Sequence, residues 1–134
     1  MANIENREAK LQSAELLNKQ SATVLAAASF GSIDANGDAV AAADTSTGNI
    51  FYSKEGAAAG ELQVGVVSDD RTIYEVDVTT TLADTHRGLL CGFDASGVVD
   101  QTNTADEFVK IVAGRSQDSL IGTSKALVKI IATL

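Results

Sequence analysis

Residues 62–78 read Leu-Gln-Val-Gly-Val-Val-Ser-Asp-Asp-Arg-Thr-Ile-Tyr-Glu-Val-Asp-Val. Leu62, Val64 and Val66 alternate with Gln63, Gly65 and Val67, and Tyr74, Val76 and Val78 alternate with Glu75, Asp77 and Thr79. An apolar side chain at every second residue is the mark of a strand with one face buried. Asp69-Asp70 between the two runs has the chemistry of a turn. Two strands joined by a short turn set the expectation of a sheet protein.

The pattern continues in both directions. Downstream, Gly88–Phe93, Phe108–Ala113 and Ala126–Thr133 are short apolar runs, the first closed by the turn-forming Asp94-Ala95-Ser96-Gly97. Leu82–Arg87 has room for one helical turn. Upstream, Thr23–Ala28, Ala39–Ala43 and Asn49–Tyr52 are separated by Asp34–Asp38 and Thr45–Gly48. Asn36-Gly37 is the preferred pair for a two-residue hairpin loop, since both positions tolerate positive φ. Residues 53–60 read as a loop. Strand centres about 10–15 residues apart suit a barrel or a sandwich. No internal repeat stands out. The 134 residues contain no proline, where about six or seven would be usual. Every residue therefore offers an N–H to a ladder, and edge strands lack one common protection, which suggests cover by another chain.

Residues 4–19 differ from the rest. Ala, Leu, Glu, Lys, Gln and Arg dominate, Gly and Pro are missing, and Glu15 and Lys19 have the favourable i,i+4 spacing. A helix is expected there, with a narrow apolar stripe at Ile4, Leu11 and Ala14 or Leu17 suited to lying across a neighbour. The fold class expected is therefore mainly β, a small β-barrel or sandwich with an N-terminal helix/arm. Residues 1–20 form the arm and residues 21–134 the β-rich body.

Charge narrows the partners. The 18 acidic and 10 basic residues leave a net charge of −8. Residues 1–20 are neutral, with Glu5, Glu8 and Glu15 against Arg7, Lys10 and Lys19, so the whole excess lies in the body. Nucleic acid and anionic membranes both reward clustered Lys and Arg, so neither is an expected partner. No stretch reaches the ~18–20 apolar residues of a membrane helix. The polar start has no secretory h-region, so the chain is expected to be made and kept inside a cell, or assembled there.

The inventory for chemistry is poor, and no enzyme activity or cofactor is expected. Asp34, Asn36 and Asp38 match the first ligands of a calcium loop, but Ala39 and Thr45 stand where the loop needs Gly and Glu. A hairpin turn explains these residues more simply, and no metal site is expected. His86 is the one histidine and Cys91 the one cysteine. No G-x-S-x-G elbow or phosphate loop accompanies them. They read as a loop histidine and a buried strand thiol. Asp69-Asp70 and the pair Glu75 and Asp77 read as a turn and a solvated face. The six aromatics (Phe30, Phe51, Tyr52, Tyr74, Phe93 and Phe108) read as core filling.

Ile73–Val78, Gly88–Phe93, Val98–Asp100, Glu107–Gly114 and Lys125–Ala132 together resemble the small β-barrel capsid decoration (cement) proteins of tailed bacteriophages. Members of that family are acidic, rich in Ala, Gly and Thr, poor in Cys and free of catalytic motifs. The resemblance implies a β-rich body on the outer surface of a virion. It implies contact with the major capsid protein, often through an extended N-terminal arm, and frequent homo-oligomers, dimers or trimers. Ile4, Leu11, Leu16 and Leu17 are the expected partner-binding residues of the arm. The alternatives are another virion component, such as a tail or head fibre, and a small soluble module that binds a ligand or cation.

Overall fold

Tyr74, Val76 and Val78 bring their alternation to a ladder in the computed structural model, which describes residues 16–20, 24–64, 66–114 and 124–133. The strands are β1 (Leu16–Gln20), β2 (Ser29–Ile33), β3 (Ala39–Ala41), β4 (Phe51–Ser53), β5 (Leu62–Val64), β6 (Val66–Val67), β7 (Ile73–Asp77), β8 (Leu90–Phe93), β9 (Val99–Asp100), β10 (Val109–Gly114) and β11 (Lys125–Ile130). A 3-10 turn, Asp84–His86, falls inside the expected helical turn. The protein is mainly β.

Two antiparallel sheets carry the fold. The second has the order β7-β11-β10-β8-β9. It curls until its two edges meet. Val78, just past β7, forms a parallel bridge with Val99 of β9, and the N–H of Thr79 donates to the Val99 carbonyl at 2.9 Å. The Gln101 amide secures this closure by donating to the carbonyls of Thr80 and Thr81. The first sheet has the order β3-β2-β4-β6, and β5, one residue before β6, pairs with β1.

Two expectations need correction. Leu16–Gln20, assigned to a helix over 4–19, is a strand, with Leu16 opposite Val64 and Gln20 opposite Leu62. Helix propensity differs by only a few tenths of a kcal/mol among such residues, and pairing on the β5 edge overrides it. An arm ending at residue 20 therefore includes a strand that pairs with β5. Ile4, Leu11 and the other residues of the expected helix before Leu16 lie outside the described residues. Within the apolar piece Thr23–Ala28, Leu25 bridges Ala57, and Ala28, at φ 56°, turns the chain into β2, where the Ser29 hydroxyl donates to the Ala26 carbonyl. Finally, Asn36-Gly37 is not a two-residue loop. Asp34 pairs with Asp38 around three residues, and only Gly37, at φ 84°, is left-handed, the form of a type I turn ending in a glycine bulge.

The two sheets are copies of one unit, a repeat hidden from the sequence. In the first half β2 is flanked by β3 and β4, and β4 by β6. In the second half β8 is flanked by β9 and β10, and β10 by β11. The outer strand, β1 or β7, precedes the rest in each half. The registers agree residue by residue. Phe93 opposite Val99 repeats Ile33 opposite Ala39, shifted by 60 residues on both strands. Cys91 opposite Val109 repeats Gly31 opposite Phe51, shifted by 60 and 58.

The hairpin turns repeat atom by atom. Asp34 Oδ1 accepts the N–H groups of Asn36 and Asp38, and Asp94 Oδ1 accepts those of Ser96 and Val98. Gly37 and Gly97 have φ 84° and 83°. Beyond Asp-Ala-x-Gly the two stretches share little, because a ladder constrains the side a residue faces more than its identity.

The halves meet head to tail. In the first half the face holding Phe30, Tyr52 and Val67 packs on the second half's core of Tyr74, Cys91, Phe93, Val99, Val109 and Ile111. The opposite face holds a smaller core of Leu25, Ala39, Phe51 and Val66. Five aromatics seal the junction. The Phe30 ring lies 5.3 Å from Tyr52, 5.8 Å from Tyr74 and 5.3 Å from Phe93. Tyr52 and Tyr74 are 4.4 Å apart, and Phe93 is 6.2 Å from Phe108. These distances suit edge-on and tilted packing, and the buried rings dominate the junction's energetics.

Candidate interaction surfaces

The side chains singled out for chemistry are engaged in building turns. The Asp34 carboxylate organises its hairpin as described, and no group of three or more His, Cys, Asp or Glu is placed to hold a metal ion among the described residues. Asp69 Oδ1 accepts the N–H groups of Arg71 and Thr72 and the Thr72 hydroxyl. Partial burial pushes the Asp69 pKa up, but the hydrogen bonds from Thr72 and Arg71 outweigh it and hold it below the usual value. His86 Nδ1 accepts the Ala83 N–H at 2.9 Å and so closes the 3-10 turn.

Cys91 is fully buried. Burial, reinforced by the charge of Asp100, pushes its thiol up to about 12, which opposes thiolate chemistry at neutral pH. Burial also pushes the Tyr74 phenol up to about 12, with a smaller contribution from Asp69. Glu75 and Asp77 share the exposed face of β7. Asp77 is paired with Lys125, its cross-strand neighbour on β11. Both partners are well exposed, so the pair adds little stability.

Of the expected arm contacts, Leu16 and Leu17 lie on β1. Nearby, Leu62 on β5 is 59% exposed and Val24 is 70% exposed. Isolated exposed apolar residues are ordinary, but these two belong to the half whose outer strand is the start of the described chain.

Two charged surfaces stand out. An open groove of about 600 Å³ is lined by Asp44, Asp94, Asp100 and Asp106, together with Thr102 and Asn103. Three of its carboxylates hold local structure. Asp94 and Asp100 cap their own turns, and Asp106 accepts the Asn103 amide.

The second surface is basic. Across the outer face of the second sheet, Leu90, Lys110, Lys129 and Ile73 stand in one row, each opposite the next. Arg87 borders the shallow groove of about 290 Å³ that Lys110 and Lys129 line. Like charges directly opposite each other destabilise a ladder. No ion pair among the described residues engages either lysine. That both lysines face outward was legible, since Val109, Ile111, Val128 and Ile130 around them are buried. Their side-by-side placement on neighbouring strands was not.

No protein-family model, curated protein or solved structure matches the chain.

Proposed function

We propose that this is a structural virion protein, a capsid decoration protein that binds the outside of a shell of major capsid protein and stabilises it. The observation that carries this reading is the use made of the polar side chains. Asp34, Asp69, His86, Asp94 and Asp100 each fasten a turn, so what the surface offers a partner is shape, strand edges and charge. A protein that binds the assembled shell and not its dissociated subunits stabilises the shell by mass action, with no reaction required. An acidic, mainly β body suits that role.

Attachment in this reading uses the N-terminal segment, with Ile4, Leu11, Leu16 and Leu17 as contact residues. Leu16–Gln20 pairs with β5, so the segment joins the body at a sheet edge, where further strand addition supplies affinity through backbone hydrogen bonds.

The test is co-sedimentation of the full chain with shells of the major capsid protein. A second arm uses a chain lacking residues 1–15, which keeps β1. Saturable binding by the full chain, raised shell stability and loss of binding by the shortened chain are the expected results. No binding by the full chain overturns the reading. Equal binding by both chains overturns the attachment mode.

A further inference from the structure

The duplicated halves show what one unit does with another. In the first half, the outer-face row Phe30–Tyr52–Val67 is set by the registers of β2, β4 and β6. In the second half, the same row is Leu90–Lys110–Lys129, set by the registers of β8, β10 and β11. The first row is covered by the second half, where Tyr74 packs on Phe30 and Tyr52 and Phe93 packs on Phe30. The hairpin residues Ser96, Gly97 and Val98 line a crevice with Phe30 and Tyr52. Gly97 lies so close to Ala42 that a Cβ there would sit 2.6 Å from the Ala42 carbonyl oxygen. The first unit thus receives the second unit's hairpin.

Among the described residues, one copy of either side of that contact is left unused. The unused row is Leu90–Lys110–Lys129. The unused hairpin is Asp34–Asp38, whose tip residues Ala35 and Asn36 are exposed. The substitutions between used and unused copies are complementary. On the row, Tyr52 and Val67 become Lys110 and Lys129. On the hairpin, Val98 becomes Asp38. Apolar meets apolar inside the chain, while lysine and aspartate occupy the corresponding positions at its two ends. Two lysines placed opposite each other repel in isolation, and an approaching carboxylate relieves that cost.

We infer that a second copy of this chain docks head to tail here, its Asp34–Asp38 hairpin seated on the Leu90–Lys110–Lys129 row, repeating the contact between the two halves. Such a contact is heterologous. It leaves a free row and a free hairpin at the ends of every pair, so it propagates into a ring or a longer array. The inference rests on the duplication and not on the capsid reading. Self-association of the isolated chain tests the first and shell binding tests the second, so either fails alone.

The experiment is sedimentation equilibrium of the full chain over a wide concentration range, at low and high ionic strength. Wild type is expected to associate at low salt and to weaken as salt rises. Lys110→Glu/Lys129→Glu and, separately, Asp38→Lys are each expected to weaken association about tenfold or more. Asp38 is changed because Asp34 holds the turn. An equimolar mixture of the two variants regains association, since each supplies the charge the other needs. Circular dichroism confirms that each variant is folded, and either one alone suffices for the test. A monomeric wild type at all concentrations overturns the inference. So does association that a folded charge-reversal variant leaves unchanged.

Discussion

Gly31 and Phe51 in the first half occupy the positions of Cys91 and Val109 in the second. One half places a bare backbone beneath a large ring, and the other places two side chains of middling size side by side. All four residues are buried, the side chains of Phe51, Cys91 and Val109 completely. The comparison teaches that the duplicated unit conserves filled space and backbone register while the residues that fill it change. The outer rows teach the converse. Phe30, Tyr52 and Val67 meet another unit, whereas Leu90, Lys110 and Lys129 face away from the core. The same ladder position carries an aromatic or a lysine according to what lies above it.

The largest effect is expected where the halves differ most in burial. Phe30→Ala removes a ring in contact with Tyr52, Tyr74 and Phe93 and is expected to cost about 3–5 kcal/mol. Leu90→Ala, at the equivalent half-buried position, is expected to cost about 1 kcal/mol. Urea denaturation measures both, and equal costs would break the assignment of the used and unused faces.

The exchange of core volume gives a second test. A Cβ at Gly31 would overlap the Phe51 ring, so Gly31→Cys alone is expected to cost about 3 kcal/mol. Phe51→Val alone leaves a void and costs about 2–3 kcal/mol. Together they import the pair found in the second half, and the double variant is expected to cost less than the sum by about 1–3 kcal/mol. Strict additivity in the double-mutant cycle would show that the halves do not share a packing plan.

The two hairpins sharpen the comparison further. Gly37→Ala and Gly97→Ala both place a side chain at positive φ, for about 1–2 kcal/mol. Gly97→Ala also presses on the Ala42 carbonyl, so it is expected to be worse by about 1 kcal/mol or more. A reversed order in thermal unfolding would argue against the docking of the second hairpin on the first half.

The smallest effect is in the pH profile. The Cys91 and Tyr74 pKa values are both pushed up to about 12 in the folded protein. Their stabilising contribution is complete below the unfolded values, about 8.5 for a thiol and about 10 for a phenol. It is lost as pH rises from there toward the folded values, because the unfolded chain then binds fewer protons. Cys91→Ala is expected to flatten the first part of that decline, from about pH 8.5. At the acid end the sign is opposite. The depressed Asp69 pKa contributes stability above the unfolded carboxylate value, and that contribution fades as pH falls through the folded one. Asp69→Asn should flatten this limb. Denaturation midpoints across pH decide both.

Much of the sheet was legible in residues 62–78 and in the apolar runs on either side, because period-two burial is written locally. The turns at Asp69 and Asp94 were legible for the same reason, their side chains bonding N–H groups two to four residues on. Leu16–Gln20 was not, since good helix formers become a strand there only because β5 presents an edge. The aromatic cluster was also hidden. Phe30, Tyr52, Tyr74, Phe93 and Phe108 look scattered until two sheets bring them together. That Phe30 and Tyr52 meet the Ser96–Val98 hairpin could not be read from residue types alone.

By itself, then, the sequence determined a mainly β body, the positions of most of its strands, its turn-making aspartates and glycines, and its negative charge. These follow from contacts within a few residues along the chain. The tertiary structure alone decided that the body is one unit twice over, that the halves stack head to tail through five rings, and that Lys110 and Lys129 stand side by side. Those features depend on which strand lies beside which, and register between strands distant in sequence is set by shared burial that no local pattern records.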